Sequence, residues 1–149
     1  MPVPAVVAPN VVIYSFADGN TIQKGCRWSV NLNSIRDPFG QNNLRSLNGK
    51  SEKVLRWIES DPRIGMLGQA MAVVVQDQLY APGATDKHIS FGLHDRRGTH
   101  ISPAVARLVG DKLRKRFPHL PILLVHQSIR TNNHPTVEKI EGLVEEEES

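Results

Sequence analysis

Three short apolar runs, residues 11–16, 89–91 and 122–125, constrain this chain most. Each is bounded by turn-forming residues, and stretches of helical periodicity separate them. Continuous runs of this length read as buried strands, and strands alternating with helices imply a mainly parallel sheet covered by helices. Residues 28–32 add a second strand candidate, and residues 31–49, rich in Asn, Asp, Gly and Pro, read as a long loop. Ser51 is placed to cap a first helix with Val54, Leu55, Trp57 and Ile58 at helical spacing. Asp61-Pro62 opens a second helix, because proline suits the first helical position. Ser102-Pro103 reads as the start of a third helix through Arg116. Residues 135–144 read as a final one. The expected fold is α/β: a single three-layer domain over residues 11–144, with a mainly parallel sheet and helices on both faces. Residues 1–10 are expected to form a flexible arm and residues 145–149 an acidic, disordered tail.

Composition narrows the setting. The single cysteine, Cys26, cannot form an internal disulfide, so a reducing cytoplasm is the expected compartment. No segment approaches the ~20 apolar residues of a membrane span. The start lacks the basic region of a signal peptide. The net charge of +3 hides an acidic end, Glu145 to Glu148; setting those four acids aside leaves a body of +7. A basic body fits phosphate-bearing partners, and equally an ordinary solubility charge.

In open α/β sheets ligands sit beyond the carboxyl ends of the strands. That points to the turn after Phe16, the loop after Phe91 and the residues after Val125. The loop from Ser90 to Pro103 joins a strand to a helix start, whose unpaired N–H groups and positive dipole end suit a phosphate. Gly98 permits close backbone approach, Arg96, Arg97 and His100 supply positive donors, and Thr99 and Ser102 supply hydroxyls. A solvated basic loop with a plain Ser-Pro cap explains the same residues as well. The Gly49-Lys50-Ser51 triplet resembles the end of a P-loop, but Leu44 stands where that pattern needs glycine. His88, His94, Asp95, His100 and His126 show no metal-ligand spacing, and no metal or cofactor is expected.

Four segments in order resemble the C-terminal domain family of the RNase adapter RapZ. They are Ser15-Phe16; Asn31, Asn33 and Asp37-Pro38; Leu44-Arg45 with Asn48-Gly49; and Gly92 through Gly98, His100 and Ser102. Val125-His126-Gln127 closes the series. The chain departs from the family pattern at several points. Asn31 and Asn33 replace a charged pair, Ile101 and Gln127 stand where arginine is usual, and the loop before His100 is two residues longer and lacks a cysteine. The resemblance implies a pocket for a small phosphorylated ligand, such as glucosamine-6-phosphate or a nucleotide, and a link to RNA binding. It places Asn31, Asn33, Asp37, Arg45, Asn48, Gly49, Gly92, His94, Arg96, Arg97, Gly98, Thr99, His100, Ser102 and His126 around that pocket.

The expected function is therefore a non-enzymatic binding module, with a homo-oligomer left open and no membrane partner. One alternative is an RNA-binding adapter using Lys112, Arg114, Lys115 and Arg116. Those cations equally suit a solvated helix end. Another is a phosphosugar hydrolase or isomerase with His94 or His100 as acid and Asp95 or Asp37 as base.

Overall fold

A computed structural model of the chain describes residues 10–19, 26–35, 43–84 and 88–140. Asp37, the arm up to residue 9 and the acidic tail lie outside the described residues. The elements run β1 (Asn10–Ala17), β2 (Trp28–Asn31), α1 (Glu52–Glu59), α2 (Pro62–Tyr80), β3 (His88–Asp95), α3 (Ile101–Arg116), β4 (Ile122–Thr131) and β5 (His134–Ile140).

The expected α/β class holds, with one five-stranded sheet in the order β2-β3-β1-β4-β5. β1 pairs in parallel with both β3 and β4, and β2 pairs in parallel with β3. β5 alone is antiparallel. Four strands thus end on one edge of the sheet, as the carboxyl-end rule requires.

The register explains the core. Ile13 lies beside Phe91 and Leu124, and Val11 beside Ile89 and Ile122. All six are buried. α3 crosses this face over β1, β3 and β4, and α1, α2 and α3 pack on one another. Further helices are not among the described residues. Gly110 lets α3 come close: a Cβ there would lie 3.0 Å from Ile140 and 3.4 Å from Leu124. α2 begins as its sequence dictates, with Asp61 accepting the Arg63 N–H at 3.0 Å ahead of Pro62. Ser51 occupies the cap position of α1, but its hydroxyl makes no cap bond.

Residues 135–140, the described part of the expected last helix, form a strand instead. Asn132 and Asn133 both adopt positive φ, 51° and 64°, the geometry of a two-residue hairpin turn that returns the chain as β5. β3 and β4 are also longer than the apolar runs that announced them. Their extra residues follow the same in-out alternation: Leu93 and Asp95 on β3, His126 on β4, all buried. α3 starts at Ile101, with His100 in the cap position and no side-chain cap bond from it.

Candidate ligand-binding site

Loops after β1, β2 and β3 meet at the carboxyl edge and enclose a cleft of about 470 Å³, lined by Asp18, Asn33, Ile35, Arg96, Arg97 and Ile101. A polar network fixes its wall. Asn33 Nδ2 donates to Asp18 Oδ2 at 2.8 Å, and His94 Nδ1 lies 2.7 Å from Asp18 Oδ1, where only an N–H can serve. Asn33 Oδ1 accepts the Arg96 N–H at 2.8 Å, and Asn31 Oδ1 accepts the Asn33 N–H at 2.8 Å. The His94 ring stacks on Phe16, centroids 5.3 Å apart. Hydrogen bonds from His94 and Asn33, with the nearby charges of His94 and Arg96, hold the Asp18 carboxyl below its usual range. The cleft therefore presents two guanidinium groups beside one ionised carboxylate, a pairing suited to an anion that also carries hydroxyl or amino donors.

The loop behind the arginines is built on Asp95. Its buried carboxylate accepts the N–H groups of Arg97 at 3.3 Å, Gly98 at 3.2 Å and Ser102 at 3.1 Å. Two of the N–H donors that the sequence offers to a phosphate, those of Gly98 and Ser102, are thus held by the chain's own carboxylate. The same bonds give Asp95 a structural task. Gly98 sits at φ 71°, and a Cβ there would lie 2.5 Å from Ala17 N and from Ser128 Oγ. Only glycine fits that crossing.

The other expected site residues fall in different surroundings. Gly49 N donates to Thr99 O at 2.7 Å, and a Cβ on Gly49 would meet His100 O at 2.5 Å, so this loop lies flat on the first turn of α3. Asn48 Oδ1 accepts the Lys50 N–H within its own turn. Arg45 is exposed on the same loop and is not among the residues lining the cleft. Gly92 makes room for Phe16, whose ring would stand 2.5 Å from a Cβ. Ser102 Oγ donates to Phe16 O at 3.5 Å, and His100 is buried beneath the loop.

His126 is fully buried within the sheet. Its Nδ1 lies 2.7 Å from Ser15 Oγ and its Nε2 lies 3.2 Å from Glu138 Oε2. Lys50 Nζ stands 3.6 Å from the same carboxylate. The His126 hydrogen bond, with the charges of His126, Lys50 and Arg107, outweighs burial and lowers the Glu138 carboxyl below its usual range. His126 thus links strands, while Asn33, His94, Arg96 and Arg97 gather at the cleft, with Asn31 behind them. Asp18, Ile35 and Ile101 are the lining residues that the expected site left out. The turn after Phe16 was singled out, and its one carboxylate was the available signal. Among the described residues no group of three His, Cys, Asp or Glu could hold a metal ion, and no helix is long and apolar enough to cross a membrane.

Comparison with known proteins identifies the family. The family profile of the RapZ C-terminal domain matches residues 9–130. A nucleotide-binding protein of Cereibacter sphaeroides is 31% identical over 104 residues, covering 69% of this chain and 34% of that protein. One from Dichelobacter nodosus is 27% identical over 129 residues, covering 84% of this chain and 45% of the relative. One from Dinoroseobacter shibae is 26% identical over 104 residues. The chain spans about a third to under half the length of these curated relatives. A profile match across most of the sequence places the chain in the RapZ C-terminal domain family.

Proposed function

We propose that this domain is a binding module for a small phosphorylated molecule, an amino-sugar phosphate or a nucleotide, seated in the cleft at the carboxyl edge of the sheet. The observation that carries this reading is the convergence of Arg96 and Arg97 with Asp18 and Asn33 on one cleft. The arginines take the phosphate. Asp18, held ionised by His94 and Asn33, accepts from a hydroxyl or ammonium of the ligand. The names of the relatives speak of nucleotide binding, but those proteins extend well beyond the stretch shared with this chain. A cytoplasmic setting suits both ligand classes.

The engagement of two of the candidate acid–base groups supports binding in place of catalysis. Asp95 is committed to three backbone N–H groups, and His94 is committed at Nδ1 to Asp18. Calorimetry against phosphorylated sugars, nucleotides and their unphosphorylated counterparts tests the reading. Heat is expected only with the phosphorylated members.

RNA binding is the second reading, and one observation favours it: Lys112, Lys115 and Arg116 are exposed along α3. Arg114 is used internally, donating to Pro118 O and Ile140 O, and Arg116 donates to Gln76. The basic stripe is thus narrower than the sequence suggests.

A further inference from the structure

The solvent face of α2 is apolar where a surface helix is ordinarily charged. From Ile64 to Gln76 the helix has no acidic or basic side chain. Ile64, Met71, Val75 and Leu79 turn inward and are buried. Met66, Val73 and Tyr80 turn outward, 74%, 52% and 51% exposed. Among the described residues, Val137 is the one other large hydrophobic side chain so exposed. Spacing of seven sets the three in one row, about 21 Å long at about 1.5 Å per residue. A second exposed row, Arg63, Ala70 and Asp77, runs beside it at the same spacing. That row is positive at one end, small at its centre and negative at the other.

We infer that this face is a self-association surface, on which α2 of a second copy packs antiparallel about a two-fold axis at Ala70. The inference stands apart from the phosphate reading above. A contiguous apolar face with charge only at its margins has the composition of an interface core. The charged row selects the partner and the direction. Antiparallel pairing sets Arg63 of each copy opposite Asp77 of the other, whereas parallel pairing sets like against like. Arg63 remains able to serve both. Its Nε and Nη2 bond Asp61 and its Nη2 donates to Ser34 O, but a guanidinium has five donors and the side chain is 52% exposed. Ala70 on the axis, with little bulk, lets the helices approach, and Met66 of each copy then lies beside Val73 of the other. The flank towards α3 agrees. Glu59 lines the groove at the start of α2, and Arg116 lines the one at its end beside Tyr80, so the same pairing brings opposite charges together there. Exposed ion pairs contribute little, so the charges set direction and the apolar row sets affinity. Such a face is isologous and closes as a dimer. One helix face falls short of the roughly 800 Å² per partner of a standard interface, so the dimer is expected to dissociate on dilution.

The test is sedimentation equilibrium of the full chain over a concentration series, on wild type, Val73→Glu and Asp77→Arg. Wild type is expected to pass from monomer to dimer as concentration rises. Val73→Glu, at an exposed position, should keep the fold and raise the dissociation constant at least about tenfold, which is about 1.4 kcal/mol. Asp77→Arg separates the two directions. It should weaken an antiparallel dimer by setting a like charge opposite Arg63, and would strengthen a parallel one by removing an Asp77–Asp77 contact. A crosslink keeps the test open if Val73→Glu misfolds. In a Cys26→Ser background, Ala70→Cys should oxidise to a linked dimer and Val137→Cys should not. A wild type that stays monomeric throughout, a dimer indifferent to Val73→Glu, or a dimer strengthened by Asp77→Arg would overturn the inference. So would equal crosslinking at positions 70 and 137.

Discussion

Asp95, the last residue of β3, accepts the backbone N–H of Ser102 in the first turn of α3 at 3.1 Å. One buried carboxylate thus closes the whole loop that carries Arg96 and Arg97. Bonds from N–H groups to a charged acceptor contribute roughly 1.5–3 kcal/mol each, and removing the acceptor leaves buried donors unpaired. Asp95→Ala is expected to lower stability by at least about 3 kcal/mol, read as a lower denaturant midpoint. An unchanged midpoint would show that the loop closes without it.

Two glycines with positive φ provide a paired test of the loop crossing. Gly98 has backbone and a half-buried hydroxyl within 2.5 Å of any added Cβ, whereas Gly83, at φ 86°, has nothing within 4 Å. Gly83→Ala should cost only the left-handed backbone term, about 1–2 kcal/mol. Gly98→Ala adds a clash with Ala17 N and Ser128 Oγ and should cost clearly more. Equal losses in thermal unfolding would contradict the close approach.

Much of this was legible in the sequence, and the misses share a cause. The apolar runs announced β1, β3 and β4, because buried parallel strands must be apolar. The same habit hid their polar ends. Asp95 looked like a loop residue, and His126 looked like a ligand, because burial of a polar side chain depends on a partner elsewhere in the chain. For His126 those partners are Ser15, 111 residues away, and Glu138 on a strand read as helix. Ser102-Pro103 has the form of a helix start, yet the acceptor that serves it lies seven residues upstream on β3. The Asn132-Asn133 pair was a hairpin signal, weaker than Asn-Gly because asparagine accepts positive φ less readily than glycine. Asp18 escaped notice because its value comes from His94 and Asn33, which the sheet brings beside it.

The Glu138 carboxyl supplies a pH signature. Its folded value lies below its ordinary 4.5, because His126 donates to it and Lys50 and Arg107 stand near. A lowered carboxyl stabilises the fold fully above the unfolded value, and that stabilisation fades as pH falls through the folded one. Acid titration of unfolding should therefore show wild type losing stability below pH 4.5, with Glu138→Gln less stable at neutral pH and flatter in that window. Parallel curves for the two proteins would rule out the contribution of Glu138.

If the exposed cations of α3 bind RNA, the affinity should be set by phosphate contacts and fall steeply with salt. Lys112→Ala with Lys115→Ala should reduce the slope of log affinity against log salt by about 1–2 in a filter-binding series. Salt-independent binding would point to base recognition elsewhere on the chain.

The arginine-lined cleft stands or falls on calorimetry of wild type beside an Arg96→Ala, Arg97→Ala double variant. Each lost charge-assisted bond is expected to cost roughly 1.5–3 kcal/mol, and about 1.4 kcal/mol is a factor of ten. Nucleotides and sugar phosphates should therefore bind the double variant at least about tenfold more weakly, with folding retained, since both side chains are exposed. Arg45→Ala, outside the lining of the cleft, should weaken binding less. Absence of binding by any phosphorylated ligand to wild type, or equal binding to wild type and the double variant, would contradict the account.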